Sequence, residues 1–135
     1  MTVQYPSTPM NYDRKIKDPV LLCHGQYEGF DFYIYNLGGY PTAYVGLPKG
    51  HPLYNKTLGD IELTDIDVHG GITYAEPYLT FNTPEGWYIG WDYAHMGDYR
   101  TSSIAMLESP GHKYTTEEMI DDCESVIDAI KNMKE

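Results

Sequence analysis

The amino-acid sequence contains few cysteines, few basic residues and no long apolar run. Its two cysteines, Cys23 and Cys123, lie far apart and match no metal-binding spacing, so two reduced thiols are expected. Nine Lys and Arg residues against twenty Asp and Glu residues give a net charge of -11, which argues against direct nucleic-acid binding because phosphates are bound through basic side chains. No segment has the length of a membrane span or the apolar core of a signal peptide. We therefore expect a protein of the cytosol that binds neither membranes nor nucleic acids.

Sequence motifs of the common metal and nucleophile sites are also missing. The chain has no HxH, HExxH or CxxC spacing. The stretch "GLPKGH" at 46–51 lacks the spacing and the GK[ST] ending of a P-loop, and Ser102 and Ser103 have no nucleophile-elbow context. No cofactor is therefore expected, and a divalent metal is the one option left open.

The chain is instead rich in tyrosine and in turn-forming residues. Fourteen tyrosines stand against three phenylalanines, with 13 glycines and 9 prolines. Tyrosine combines apolar area with a polar tip, which suits half-buried sheets and recognition surfaces, and the glycines and prolines favour short strands joined by tight turns. The acidic charge suits docking onto a basic protein surface, although it also serves solubility in general.

The apolar pattern predicts an α+β fold within one domain. A chain of 135 residues is one domain by size. Residues 1–17 contain Pro6 and Pro9 and show no periodicity, so they are expected to form an extended N-terminal arm. Deletion of residues 1–12 is expected to leave the fold intact. Residues 18–135 are predicted to form a twisted antiparallel sheet of about five strands, built from two hairpins, with a C-terminal helix packed on one face.

Two hairpins supply most of the predicted strands. Runs at 30–36 and 42–47 flank Gly38–Gly39, which can adopt the positive φ angles of a tight turn. Residues 68–75 and 86–93 are predicted to pair as the second hairpin. Two less regular stretches complete the prediction, a short buried strand or turn at 19–25 and a loop with a helical turn at 49–71.

The C-terminal helix has both a start signal and an apolar stripe. Thr115 followed by Glu118 is a capping-box pattern. Apolar residues then recur at intervals of three and four at Met119, Ile120, Cys123, Val126, Ile127, Ile130 and Met133. This stripe predicts a helix that packs across one face of the sheet.

The strand at 86–93 indicates where a functional site would lie. Alternation assigns one of its faces to the core, with the side chains of Trp87, Ile89, Trp91 and Tyr93. Asp92 then points to the other face. If Ala75 lies opposite roughly Gly86, antiparallel pairing brings His69 opposite roughly Asp92. We therefore predict a site at this end of the sheet.

Further candidates leave the sheet at the same end or follow the first hairpin. The candidate ligand-binding residues are His51, His69, Tyr74, Tyr88, Asp92, His95 and Asp98. The candidates for catalysis are His69, Asp92, His95 and Asp98, and the weaker candidates for a metal are His69, His95 and Asp98. Imidazoles and carboxylates can bind a divalent metal, transfer protons or hydrogen-bond a polar ligand. In the structural alternative, one histidine caps a strand end and the other satisfies backbone groups in a turn.

Three stretches in the centre of the chain carry a resemblance. They are "AYVGLPKGHPLYNK" at 43–56, "DVHGGITYA" at 67–75 and "GWYIGWDYAHMGD" at 86–98. They resemble the motifs GHPLYG, VHGGLTF and GFDCAHxGD of a family of small, mostly uncharacterised proteins of bacteriophages and mobile elements. The resemblance implies a phage origin and singles out His51, His69, Asp92, His95 and Asp98 without giving them a role. Tyr93 stands where that family often has Cys, which argues against an obligatory thiol.

Two functions are compatible with these features. The first is a phage accessory protein of the host cytoplasm that counteracts a host defence factor. It would do so by binding a protein with a basic surface or a small, polar, nucleotide-type ligand. The alternative is a small hydrolase, with or without a metal, that uses His69, Asp92, His95 and Asp98. No oligomeric state is predicted.

Overall fold

Five antiparallel strands and two helices make up the described part of the chain. The computed structural model describes residues 5–11, 19–37, 40–79, 84–93 and 113–133. The elements are β1 (Val20–Tyr27), β2 (Phe30–Asn36), β3 (Pro41–Gly46), α1 (Ile61–Thr64), β4 (Tyr74–Glu76), β5 (Tyr88–Asp92) and α2 (Thr116–Ile130). The strands form one open, twisted sheet in the order β1-β2-β3-β5-β4. The predicted α+β class, with an antiparallel sheet and a C-terminal helix on it, is confirmed.

The first three strands form a continuous meander. β1 and β2 are joined by Glu28 and Gly29, whose φ angles of 51° and 83° are those of a tight hairpin turn that follows the twist of the strands. β2 and β3 form the predicted hairpin, and Asn36 pairs with Pro41 at its closed end. Pro41 has no amide hydrogen to donate, and it is tolerated because it is the first residue of its strand.

Helix α2 begins and packs as its sequence predicts. The Thr115 hydroxyl accepts from the Glu118 amide at 3.2 Å, and the Thr115 amide donates to the Glu118 carboxylate at 3.0 Å. The buried face of the helix consists of Thr116, Met119, Cys123, Val126, Ile127 and Ile130. It packs on β1, β2 and β3. Neither helix of the described residues is long and apolar enough to cross a membrane.

The sheet has two unlike faces. On the helix side, sheet residues such as Phe32, Ile34 and Trp91 form one core with α2. Leu53 and Leu63, from the connection between β3 and β4, extend this core. On the other side a second, smaller cluster is built mainly from tyrosines, with Tyr33, Tyr35, Leu79 and Tyr88 buried and Leu37, Tyr44 and Tyr74 packed against them. This aromatic face holds five of the fourteen tyrosines.

The N-terminal segment 5–11 is extended, but it lies against the domain. The Thr8 amide donates to the main chain of β1 at 2.7 Å, and the buried Thr116 hydroxyl donates to the Thr8 carbonyl at 2.6 Å. The Tyr5 ring meets Phe32 edge-on, with 5.0 Å between the ring centroids. Single side chains of this segment therefore dock on the domain although the segment has no periodic apolar pattern.

Candidate functional site

The faces of β5 are those predicted from alternation. Ile89, Trp91 and the following Tyr93 belong to the helix-side core. Tyr88 belongs to the cluster on the opposite side, and Asp92 is half-buried there. The aromatic half of the motif therefore builds core, while Asp92 points to the aromatic face of the sheet.

The pairing of β4 with β5 differs from the prediction. The two strands are antiparallel, but Ala75 lies opposite Ile89, three residues away from the predicted partner Gly86. Gly70 and Gly71 have φ angles of 70° and 79°, so the chain turns there instead of continuing the strand. His69 is consequently carried out of the ladder, and the prediction that it lies opposite Asp92 is wrong.

His69 lies on the helix side of the sheet. Its ring stacks on Tyr93, with centroids 4.8 Å apart and an interplanar angle of 16°, and meets Tyr114 at 4.9 Å. The Tyr93 hydroxyl donates to Asp122 of α2 at 2.6 Å and accepts from the Trp91 indole at 2.9 Å. Burial and the bond to Asp122 raise the pKa of Tyr93 well above its ordinary value. His69 thus joins an aromatic stack beside α2, on the opposite side of the sheet from Asp92.

His51 is held by backbone groups on both ring nitrogens. The Leu53 amide donates to Nδ1 at 3.0 Å, which makes Nε2 the protonated nitrogen, and Nε2 donates to the Ile130 carbonyl at 2.9 Å. The ring also meets Phe30 edge-on at 5.6 Å. His51 therefore fastens the loop after β3 to the C-terminal end of α2, away from Asp92.

Two of the predicted site residues cannot be placed. His95 and Asp98 lie outside the described residues. Within residues 5–11, 19–37, 40–79, 84–93 and 113–133, no group of three or more His, Cys, Asp or Glu side chains is arranged to hold a metal ion.

A pocket beside Asp92 is the candidate functional site on the aromatic face. It has a volume of about 220 Å³ and is called the Asp92 pocket below. The described residues that line it are Leu37, Tyr40, Thr42, Tyr44, Thr73, Tyr74, Trp91 and Asp92. Drug-sized ligands occupy sites of about 300–1,000 Å³, so this pocket fits a small ligand or a single side chain of a larger one.

The polar part of the pocket comes from neighbouring strands. Thr42 of β3 is the direct cross-strand partner of Asp92 on β5. Thr73, just before β4, donates its hydroxyl to Asp92 at 3.4 Å. A carboxylate and two hydroxyls from three adjacent chain segments therefore meet at one end of the aromatic face.

Thr42 contributes a buried hydroxyl to the polar part of the pocket. The residue is 4% exposed, and its hydroxyl has no hydrogen-bond partner within the described part of the chain. Burial raises the pKa of Tyr44, and the nearby Thr42 hydroxyl lowers it. The hydroxyls of Thr42 and Tyr44 are nevertheless not in hydrogen-bonding geometry. An unsatisfied buried group costs about 1–3 kcal/mol.

Two tyrosine rings form a corner in the wall of the pocket. Tyr44 and Tyr74 lie 5.1 Å apart between ring centroids and are nearly perpendicular, at 77°. Tyr44 lies directly over Gly90, where a Cβ atom would come within 2.4 Å of its ring. Burial raises the pKa of both tyrosines, so both are neutral phenols near pH 7.

Of the tyrosines predicted to bind a ligand, Tyr74 lines the pocket and Tyr88 lies outside it. Tyr88 is buried in the aromatic cluster, where it meets Tyr33 edge-on and donates to the Pro84 carbonyl at 2.7 Å. The sequence reasoning missed Thr42 and Tyr44, because β3 was paired only with its hairpin partner. The alternation of Thr42 and Tyr44 with the buried Ala43 and Val45 is the signal that places them on the same face.

Comparisons with known proteins do not extend these observations. No protein-family model matches the chain, and searches of curated proteins and of solved structures gave no match either. A proposal for its function therefore depends on the fold, the charge and the Asp92 pocket.

Proposed function

We propose that this chain is an accessory binding protein that engages a partner protein with a basic surface, using the Asp92 pocket and its rim. The observation that carries the proposal is the pocket itself, in which a carboxylate and a buried, unsatisfied hydroxyl lie beside aromatic rings. On the three phage-type motifs, we further propose that the partner is a host factor and that binding counteracts a host defence.

The charge of the chain supports a basic partner. A net charge of -11 speeds encounter with a positive surface and discriminates against acidic ones. Tyrosine is enriched in the cores of protein interfaces because one ring provides a large apolar area together with a polar tip. Tyr40 and Tyr74 at the rim are half-buried, so part of this area is accessible to a partner.

The pocket favours a protein partner over a nucleotide. None of the described residues that line it carries a positive charge, and Asp92 carries a negative one. A phosphate in this position would be repelled by the Asp92 carboxylate. The hydrolase alternative gains no support either, because His69 and Asp92 lie on opposite sides of the sheet.

Capture of partners on matched variants tests the proposal. The immobilised wild-type protein is incubated with a bacterial host lysate, beside the variants Asp92→Asn and Asp121→Asn. Both substitutions remove one negative charge, but Asp121 is an exposed residue of α2. A captured protein is then purified and titrated against all three chains at two salt concentrations.

The proposal predicts a basic partner that binds the wild type and the Asp121→Asn variant equally and the Asp92→Asn variant much more weakly. The affinity should fall with salt, because the attraction is electrostatic. Purified partners with an acidic surface would contradict the proposal, as would a hydrolytic activity of the purified chain that Asp92→Asn abolishes.

A further inference from the structure

The size of the Asp92 pocket limits its occupant to a single small group. The volume of about 220 Å³ is below the range of drug-sized ligands. Thr42 and Asp92 are directly opposed across β3 and β5, and such pairs have Cβ atoms about 5 Å apart. One ligand head group can therefore touch both side chains at the same time.

The polar groups of the pocket favour a ligand that donates hydrogen bonds. The Asp92 carboxylate only accepts hydrogen bonds, and the Thr42 hydroxyl can accept as well as donate. A ligand with several N–H groups would bond both at once. If those N–H groups carry a positive charge, the bond to Asp92 is charge-assisted and correspondingly stronger.

The aromatic walls favour the same ligand. Cations are attracted to the faces of aromatic rings, and cages of several rings recognise ammonium groups. Tyr44 and Tyr74 stand at 77° to each other, and Tyr40 lines the same pocket. Two perpendicular rings form a corner that can enclose a small cationic head group.

We propose that the Asp92 pocket binds the cationic head of a lysine or arginine side chain, an alkylammonium or a guanidinium, presented by the partner protein. The Asp92 carboxylate neutralises the charge, the Thr42 hydroxyl accepts an N–H group, and the tyrosine corner encloses the head. This assignment rests on the proposed function and deepens it, because it names the group on the partner that the pocket selects.

Small analogues of the two side chains test the pocket directly. The full chain is titrated with n-butylammonium, n-propylguanidinium, neutral 1-butanol and anionic butyrate, and amide chemical shifts are followed by NMR at constant ionic strength. Both cations should produce saturable shifts around Thr42, Thr73 and Asp92. Butanol and butyrate should produce none that saturate. Saturable binding of butanol as strong as that of butylammonium would overturn the proposal.

Variants with matched controls locate the binding. Asp92→Asn should weaken cation binding by about tenfold or more, since it removes the charge partner, and Tyr74→Leu should weaken it by removing one wall. The controls Asp121→Asn and Tyr78→Leu should bind as the wild type does, because Asp121 lies on α2 and Tyr78 is 57% exposed outside the pocket. Thr42→Val provides a further test from a different strand.

The outcomes separate this inference from the proposed function. If the small cations bind as expected but no basic protein partner is found, the pocket assignment stands and the proposed function fails. If a basic partner binds the Asp92→Asn and Tyr74→Leu variants as tightly as the wild type, the proposed function stands and the pocket assignment fails. Retained cation binding in Asp92→Asn, Tyr74→Leu and Thr42→Val together would also overturn the assignment.

Discussion

Gly90 shows how a single missing side chain shapes the Asp92 pocket. A Cβ atom there would lie 2.4 Å from the Tyr44 ring and 2.8 Å from the Ala43 carbonyl oxygen. The carbonyl belongs to the paired strand and cannot move freely. We expect Gly90→Ala to reduce the free energy of unfolding by about 1–3 kcal/mol, as overpacking does, and to displace Tyr44.

Urea denaturation checks this effect against Gly59→Ala. An added Cβ atom at Gly59 meets only the Thr57 hydroxyl, at 3.8 Å, so this control should be nearly neutral. If Gly90→Ala unfolds at the same urea concentration as Gly59→Ala, Tyr44 does not lie over Gly90 as described.

At the same scale, His51 is expected to stabilise the fold. Replacement by Ala leaves the Leu53 amide and the Ile130 carbonyl without their partners, which should cost about 1–3 kcal/mol. His51→Phe keeps a ring against Phe30 but loses both hydrogen bonds. The difference between the two variants in thermal unfolding separates hydrogen bonding from packing. If His51→Phe unfolds at the same temperature as the wild type, the two hydrogen bonds contribute little to stability.

At the scale of elements, the features that sequence could predict are local ones. The capping box of Thr115 and Glu118 and the apolar stripe after it lie within a few turns of one helix. The faces of β5 follow from the two-residue period of a strand. Each of these signals depends on neighbours in sequence, and the structure confirms them.

The features that sequence could not predict depend on long-range pairing. β5 pairs with β3 as well as with β4, and this places Thr42 beside Asp92 although they are far apart in sequence. The register of β4 depends on whether Gly70 and Gly71 are extended, and glycine permits both conformations. Of the residues that sequence reasoning singled out, Asp92 and Tyr74 line the Asp92 pocket. Thr42 and Tyr44 were not among them, because their position depends on the pairing of β3 with β5.

The N-terminal segment gives a prediction at this scale. Removal of residues 1–11 eliminates the contact of Tyr5 with Phe32 and both main-chain bonds of Thr8. We expect the free energy of unfolding to fall by about 2–4 kcal/mol, because an aromatic contact and hydrogen bonds of ordinary strength are lost. Urea denaturation measures it. In the control Tyr5→Phe the ring stays and only the hydrogen bond from the hydroxyl to Glu124 is lost. The stability of this variant should therefore fall much less. If the truncated chain has the wild-type urea midpoint, the N-terminal segment does not contribute to stability.

At the scale of the whole molecule, the sheet divides its two faces between stability and recognition. α2 and the connection after β3 cover one face with apolar side chains. The other face carries tyrosines whose rings pack closely, and the hydroxyls of Tyr74 and Tyr88 donate to main-chain carbonyls. A chain with net charge -11 repels itself, and neutral aromatic packing adds stability without adding charge. Buried tyrosines on both faces then make the fold sensitive to alkaline pH.

The alkaline transition is the prediction that tests the burial of tyrosines on the two faces of the sheet. Burial raises the pKa of Tyr33 to about 12, and burial together with Glu124 raises that of Tyr5 to about 12. The pKa of Tyr93 is also raised, by burial and by its bond to Asp122. In the unfolded chain these phenols titrate near a pKa of about 10. Above that pH the unfolded state loses protons that the folded state retains, so the stability contributed below pH 10 is lost as the pH rises from about 10 towards about 12.

We therefore expect the urea midpoint to be constant from neutral pH to about 9 and to fall steeply above about 10. Absorbance of the tyrosinate ion is followed at the same time, and the part of it that comes from the buried phenols should appear together with unfolding rather than before it. The variant Tyr33→Phe removes one of the responsible groups, so its midpoint should fall less steeply, whereas substitution of the exposed Tyr78 by Phe should leave the slope unchanged. A folded protein whose tyrosines all ionise near pH 10 without loss of stability would show that the phenols of Tyr5, Tyr33 and Tyr93 are not held in the environments described.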